Sequence, residues 1–289
     1  MSQAARRADA ISARANANGF GAEVAGLDLS RPLDDLSLRT LRDLWLAHQV
    51  VWIRDQDLTV EQFERFTLQM GDWGRVDFIE PMKGHPQVLE LRREPDEKAA
   101  HFGGGWHSDY SFQDCPPAAT LLLSRQVPPV GGDTLFASGY AAYDALSDTM
   151  KTMLAPLKAT HSAALPYAKE GIYATETEKR SLKILPSDDA KKTRLHPVIR
   201  THPETGRKAL WVNPVYTVGI DGLTPAESAN LLGFLTAHCL KDAFQYRHKW
   251  EADTLLMWDN RCVQHFADAG FDGHRRVMWR TTTAGTQPV

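Results

Sequence analysis

His107 and Asp109 are separated by one residue and preceded by Gly103-Gly104-Gly105-Trp106, so an imidazole and a carboxylate lie close together in the chain. In an extended segment, residues i and i+2 share a face, and both groups can then converge on one cation. One further histidine would complete a face of two histidines and one carboxylate. That donor set suits non-haem Fe(II) and leaves coordination positions open for chemistry. A lone His-x-Asp pair fits an ordinary surface or turn equally well. The rest of the chain has to supply the third donor and a reason for an ion.

Eleven histidines compete for that place. His48 and His238 fall near expected helix ends and read as caps or packing, while His196 and His202 each precede proline and read as turns. His265 differs, because it falls in an expected loop between two core strands, after Trp258-Asp259-Asn260-Arg261 and before Arg275-Arg276. A rigid sheet could hold a ligand there. Further on, Arg276 and Arg280 have the same parity in one strand, with Val277 and Trp279 on the opposite side. Both guanidiniums therefore face the interior, where two cations repel unless anions are present. Salt bridges to acidic side chains would answer that, and so would two bidentate forks for carboxylate ligands.

The elements that must position these groups are mostly strands. Val50-Val51-Trp52-Ile53, Val88 to Leu91, 118–123, 134–137, 244–250, 254–258 and 276–282 are apolar or alternating runs of strand length. Helices are expected after Asp34-Asp35, with Leu38, Leu41, Leu44 and Trp45 on one face, and over 140–146. Capping boxes announce two more, at Thr59-Val-Glu-Gln62 and at Thr224-Pro225-Ala226-Glu227. Many strands, few helices and no regular βαβ rhythm predict a β-sandwich or jelly roll. Residues 92–102 read as an exposed, mobile loop into the glycine run, and Trp106 as a core-packing residue.

The 289 residues carry a net charge of −3, which provides no general field for nucleic acid. No stretch is long and apolar enough to span a bilayer. Residues 1–18 lack the apolar core of a signal peptide and are expected to be disordered, leaving one domain over 19–289. Three cysteines without CxxC spacing suit a reducing cytoplasm.

His107-Ser-Asp109, Pro116-Pro117, Val127-Pro-Pro-Val-Gly-Gly-Asp-Thr134, Ala141-Ala-Tyr143-Asp-Ala-Leu-Ser147, His196-Pro-Val-Ile-Arg-Thr-His-Pro203, Trp258-Asp-Asn-Arg261 and the stretch from His265 to Arg280 occur in this order. Together they closely resemble the taurine dioxygenase/2,4-dichlorophenoxyacetate dioxygenase family of Fe(II)- and 2-oxoglutarate-dependent oxygenases, over nearly the whole chain. The resemblance implies a double-stranded β-helix (jelly-roll) core with helical insertions. It implies His107, Asp109 and His265 as iron ligands, with Thr134 and Arg276 holding the distal carboxylate of 2-oxoglutarate. Arg280 would grip the acidic group of the prime substrate. O2 would be the oxidant, and succinate and CO2 would be released. A homodimer or homotetramer is also implied.

Two other classes use the same donors: a non-catalytic metal-binding jelly-roll protein and a zinc hydrolase. Neither needs the Thr134 and Arg276 pair. The histidine and tyrosine of taurine-specific members are missing from Gly71-Asp-Trp-Gly-Arg-Val-Asp-Phe-Ile-Glu-Pro81, where Val76, Phe78 and Ile79 suggest a more apolar pocket. The expected substrate is thus a small anionic organic molecule, such as an aryloxyalkanoate, alkyl sulfate or sulfonate. Tyr216 is expected in the pocket wall. Residues 165–184, with Tyr167, Ile172 and Tyr173, would form either a lid or a packed loop.

Overall fold

The computed structural model describes residues 11–289. Local chemistry starts the two helices that back the main sheet. Asp34 accepts from the Ser37 amide and opens Asp35–His48. Thr59 and Gln62 bond reciprocally and open Val60–Met70. Such caps satisfy amides that a helix end would otherwise leave without partners.

The strands in chain order are β1 (Ser12–Ala15), β2 (Ala22–Ala25), β3 (Val50–Ile53), β4 (Leu89–Arg93), β5 (Ala119–Gln126), β6 (Thr134–Ser138), β7 (Lys158–Ser162), β8 (Thr193–Pro197), β9 (Ile199–Thr201), β10 (Lys208–Leu210), β11 (Thr217–Ile220), β12 (Gln245–His248), β13 (Leu255–Asp259), β14 (Val263–Ala267) and β15 (Arg276–Thr282). A seven-stranded sheet runs β1-β2-β3-β13-β5-β15-β4, and a three-stranded sheet runs β12-β6-β14. They are the two layers of a jelly roll, the expected fold. A separate β11-β7-β8 sheet, which the sequence did not announce, packs with helix Pro225–Cys239 around Leu146, Val198 and Leu235.

The period of two decides which residues enter which layer. In β3, β5 and β13, Val51, Ile53, Leu121, Leu123, Leu255 and Met257 pack outward under the two helices, with Trp45, Phe63 and Phe66. Their neighbours Val50, Trp52, Leu122, Leu256 and Trp258 face the other way, onto Phe136, Val263 and Met278. Both faces are buried, which explains why these strands read as continuous apolar runs rather than alternating ones.

Part of the expected disordered start is ordered. Ser12–Ala15 pairs with Ala22–Ala25 in antiparallel register, and the intervening turn closes through Asn16 N–H to the Gly21 carbonyl at 2.9 Å. The turn needs Gly19 and Gly21 at φ 74° and 86°, a backbone region that favours glycine. Residues 1–10, the rest of that expectation, lie outside the described residues.

Candidate active site

β14 carries His265, which is therefore in a strand and not in the expected loop. It pairs across the ladder with Phe136 of β6. His107 adds to this strand as an isolated bridge, with His107 N–H to the His265 carbonyl at 3.0 Å and the reverse bond at 2.8 Å. Asp109 follows in a turn rather than in a strand, so strand parity is not what brings it round. The convergence occurs all the same. His107 Nε2 lies 3.4 Å from Asp109 Oδ1, and His265 Nε2 lies 3.9 Å from the same oxygen. One donor atom from each of the three buried residues falls within 4.8 Å of the others.

The donor atoms are chemically ready. His107 Nδ1 lies 2.6 Å from the Gly105 carbonyl, so it carries the proton and leaves Nε2 its lone pair. The Trp258 ring lies 4.6 Å from the His265 ring and holds it in place. Burial alone would raise the Asp109 carboxyl. The charge of Arg280 outweighs it and holds Asp109 well below the usual carboxylate range. Arg280 Nη2 reaches Asp109 Oδ1 at 2.9 Å.

Arg276 and Arg280 line one pocket with His107, His265, Thr134, Leu91, Leu122, Trp258 and Phe271, as their shared parity required. Among the described residues Arg276 has no carboxylate partner. Its Nη2 makes a long 3.4 Å bond to the Gly132 carbonyl, and its buried Nε has no hydrogen-bond partner. Burial pushes its pKa down to about 10. A guanidinium left so is costly unless an anion completes it. Thr134 Oγ1 accepts from Trp250 Nε1 at 3.0 Å, which leaves the hydroxyl proton free for a carboxylate. This pocket suits a dicarboxylate, with a cation at one end and metal donors at the other.

Tyr216 is buried, and its ring stands edge-on to His107 at 5.8 Å and to Phe112 at 5.0 Å. Ile79 is also buried but sits one layer back, against Leu89 and Leu182. The expected mobile loop at 92–102 is tied down. Arg93 donates to the Ala99 and Glu97 carbonyls at 2.8 and 3.0 Å, while Glu97 accepts from the Ser181 amide at 3.0 Å. Trp106 is only partly buried and lies against Phe266 at 5.7 Å. Sequence reading missed Thr120, which donates to Asp109 Oδ2 at 2.6 Å. The only signal was Asn260, the residue behind it, in the Trp-Asp-Asn-Arg motif.

A jelly roll with two histidines and a carboxylate beside an unpaired arginine defines a class, the mononuclear non-haem iron oxygenases that use a keto acid. Residues 12–282 match the family described as taurine catabolism dioxygenase TauD, TfdA family, and the chain belongs to it. An alpha-ketoglutarate-dependent sulfate ester dioxygenase of Pseudomonas putida is 31% identical, over 94% of this chain and 89% of that protein. An (S)-phenoxypropionate/alpha-ketoglutarate-dioxygenase of Sphingobium herbicidovorans is 32% identical, over 92% of each. A crystal structure of AAD-2 in complex with Mn(II) and N-oxalylglycine superposes with a TM-score of 0.78, at 32% identity, covering 96% of this chain and 98% of that one. The protein is an Fe(II)- and 2-oxoglutarate-dependent dioxygenase.

Proposed function

We propose that His107, Asp109 and His265 hold the iron, that Arg276 and the Thr134 hydroxyl hold the distal carboxylate of 2-oxoglutarate, and that Arg280 receives the acidic group of a small organic substrate with an apolar body. Bound Fe(II), with 2-oxoglutarate and O2, supplies the oxidising power to hydroxylate a C–H bond, releasing succinate and CO2. The chain supplies position, because such an oxidant discriminates poorly between C–H bonds. A hydroxylated carbon bearing a heteroatom leaving group loses that group and the hydroxyl proton to give a carbonyl.

The observation that carries the substrate class is the setting of Arg280. It is buried within 5.2 Å of the Tyr110 ring. Around Tyr110 lies a cluster of Phe112, Tyr167 and Tyr216, with Phe78 packed against it. A buried cation inside an aromatic wall fits an anion attached to an alkyl or aryl body. When Asp109 Oδ1 serves as a ligand, its charge is shared with the metal, its hold on Arg280 weakens, and the guanidinium donors become available to that anion. The relatives named for sulfate esters and phenoxypropionates support the same class. With a net charge of −3 and no helix among the described residues long and apolar enough to cross a membrane, we read the enzyme as one domain working in the cytoplasm. A homodimer or homotetramer fits that reading.

The test is succinate release across a panel of alkyl sulfates, sulfonates, aryloxyalkanoates, amino acids and neutral isosteres. Turnover coupled only to neutral or cationic compounds refutes the proposal. Arg280→Ala should raise KM for the preferred acid far more than KM for 2-oxoglutarate. Equal rises would mean that the two arginines do not divide the anions as stated.

A further inference from the structure

Asp109 and three fully buried groups beside the triad form a hydrogen-bonded chain whose direction can be deduced. Trp258 Nε1 lies 3.0 Å from Asn260 Oδ1. An indole N–H only donates, so the Asn260 oxygen must face it. That oxygen also accepts from the Asp109 amide at 3.3 Å. The Asn260 amide nitrogen is thereby turned to Thr120, and it donates to Oγ1 at 2.8 Å. With its oxygen already accepting, Thr120 has one proton to give, and it gives it to Asp109 Oδ2 at 2.6 Å. That length belongs to the short, charge-assisted class of O–H···O⁻ bonds.

The fold builds this relay. Thr120 of β5 is the cross-strand partner of Trp258 in β13, and its parity with Leu122 turns it toward the interior. Trp258, Asn260, Thr120 and Asp109 are each at most 2% exposed, so water does not compete. The consequence is an asymmetric carboxylate. Oδ2 accepts from Thr120, and Oδ1, which Arg280 also reaches, is the oxygen that lies toward His107 Nε2 and His265 Nε2.

We infer that Thr120 is a positioning residue that makes Asp109 a one-oxygen metal ligand. Iron(II) commonly accommodates six donors. Held by three protein atoms and a bidentate keto acid, such an ion would keep one position for O2. A carboxylate chelating through both oxygens would fill that position. The Thr120 hydroxyl thus protects the vacancy that the reaction needs, without touching substrate.

This inference rests on the proposed ligand set. That set is tested separately by Mn(II) titration of the unaltered protein and of Asp109→Ala, which should bind Mn(II) far more weakly. Thr120→Val should then weaken Mn(II) binding by roughly 10- to 100-fold, the usual range for losing a group that orients a metal ligand. Thr120→Ser, which keeps the hydroxyl, should stay within about threefold of the parent, well below that range. With Co(II) under nitrogen, Thr120→Val should show visible bands changed from the parent's, because a second carboxylate oxygen replaces a water ligand, and Thr120→Ser should restore them. Parent-like Mn(II) affinity and cobalt bands in a folded Thr120→Val protein would overturn the proposal. If that variant does not fold, Thr120→Ala and Thr120→Ser decide, since they differ by one hydroxyl. Equal Mn(II) affinity and equal cobalt spectra for that pair would overturn it too.

Discussion

Arg276 shows how one side chain can be a liability to the empty fold and an asset to the enzyme. Its Nε is buried without a partner among the described residues, and desolvation disfavours its charge. Arg276→Met should therefore raise KM for 2-oxoglutarate by about 100-fold, since truncating one side of a buried charge pair costs a few kcal/mol. Free of ligand, the variant should melt no lower than the parent. Steady-state kinetics and differential scanning fluorimetry check the two halves, and a large loss of melting temperature would give Arg276 a structural role instead. The residue types of the site were legible: two histidines, one carboxylate and two arginines of equal parity. What was not legible was who pairs with whom. Arg280 reaches back to Asp109, and the Thr120 contact depends on the register between β5 and β13, which no spacing announces.

At the scale of elements, the signals that survived were local. Thr59 and Thr224 each form the capping box expected of them, because such caps are made within four residues. Thr59→Ala should cost about 1 kcal/mol of stability and leave KM for 2-oxoglutarate unchanged, as measured by urea unfolding beside activity. A shift in KM would mean that Val60–Met70 reaches the site. The signals that failed were tertiary. His265 lies in a strand because residues 263–267 complete a ladder with β6. Residues 92–102 are held because backbone carbonyls there meet Arg93 and Arg180. Polarity in sequence reads as exposure, yet these charged side chains are spent on main-chain groups of the segment itself, one from within it and one from a neighbouring segment.

For the whole molecule, metal and protons are the natural levers on stability. Mn(II) at about 100 times its Kd should stabilise the fold by roughly 2.7 kcal/mol, and Asp109→Ala should abolish the gain in melting temperature. Burial lowers His161 and His248 from 6.5 to about 3. Between those values the unfolded chain binds protons that the folded chain refuses. Stability is therefore lost as pH falls from 6.5 toward 3, by up to about 1.4 kcal/mol per pH unit for each histidine. Urea midpoints of the chelator-treated protein at pH 7 and pH 5 should show the fall, and His248→Gln should reduce it. Equal midpoints would place both imidazoles in contact with solvent.

The paired amides and carbonyls of His107 and His265 also carry a kinetic consequence. They join opposite halves of the chain, and such long-range closures form late because loop entropy must be overcome first. A metal captured across that bridge finds no site in the unfolded chain and little in the transition state. It should slow unfolding while leaving the refolding rate almost unchanged. A loaded enzyme would then hold its iron for as long as the backbone bridge stays shut.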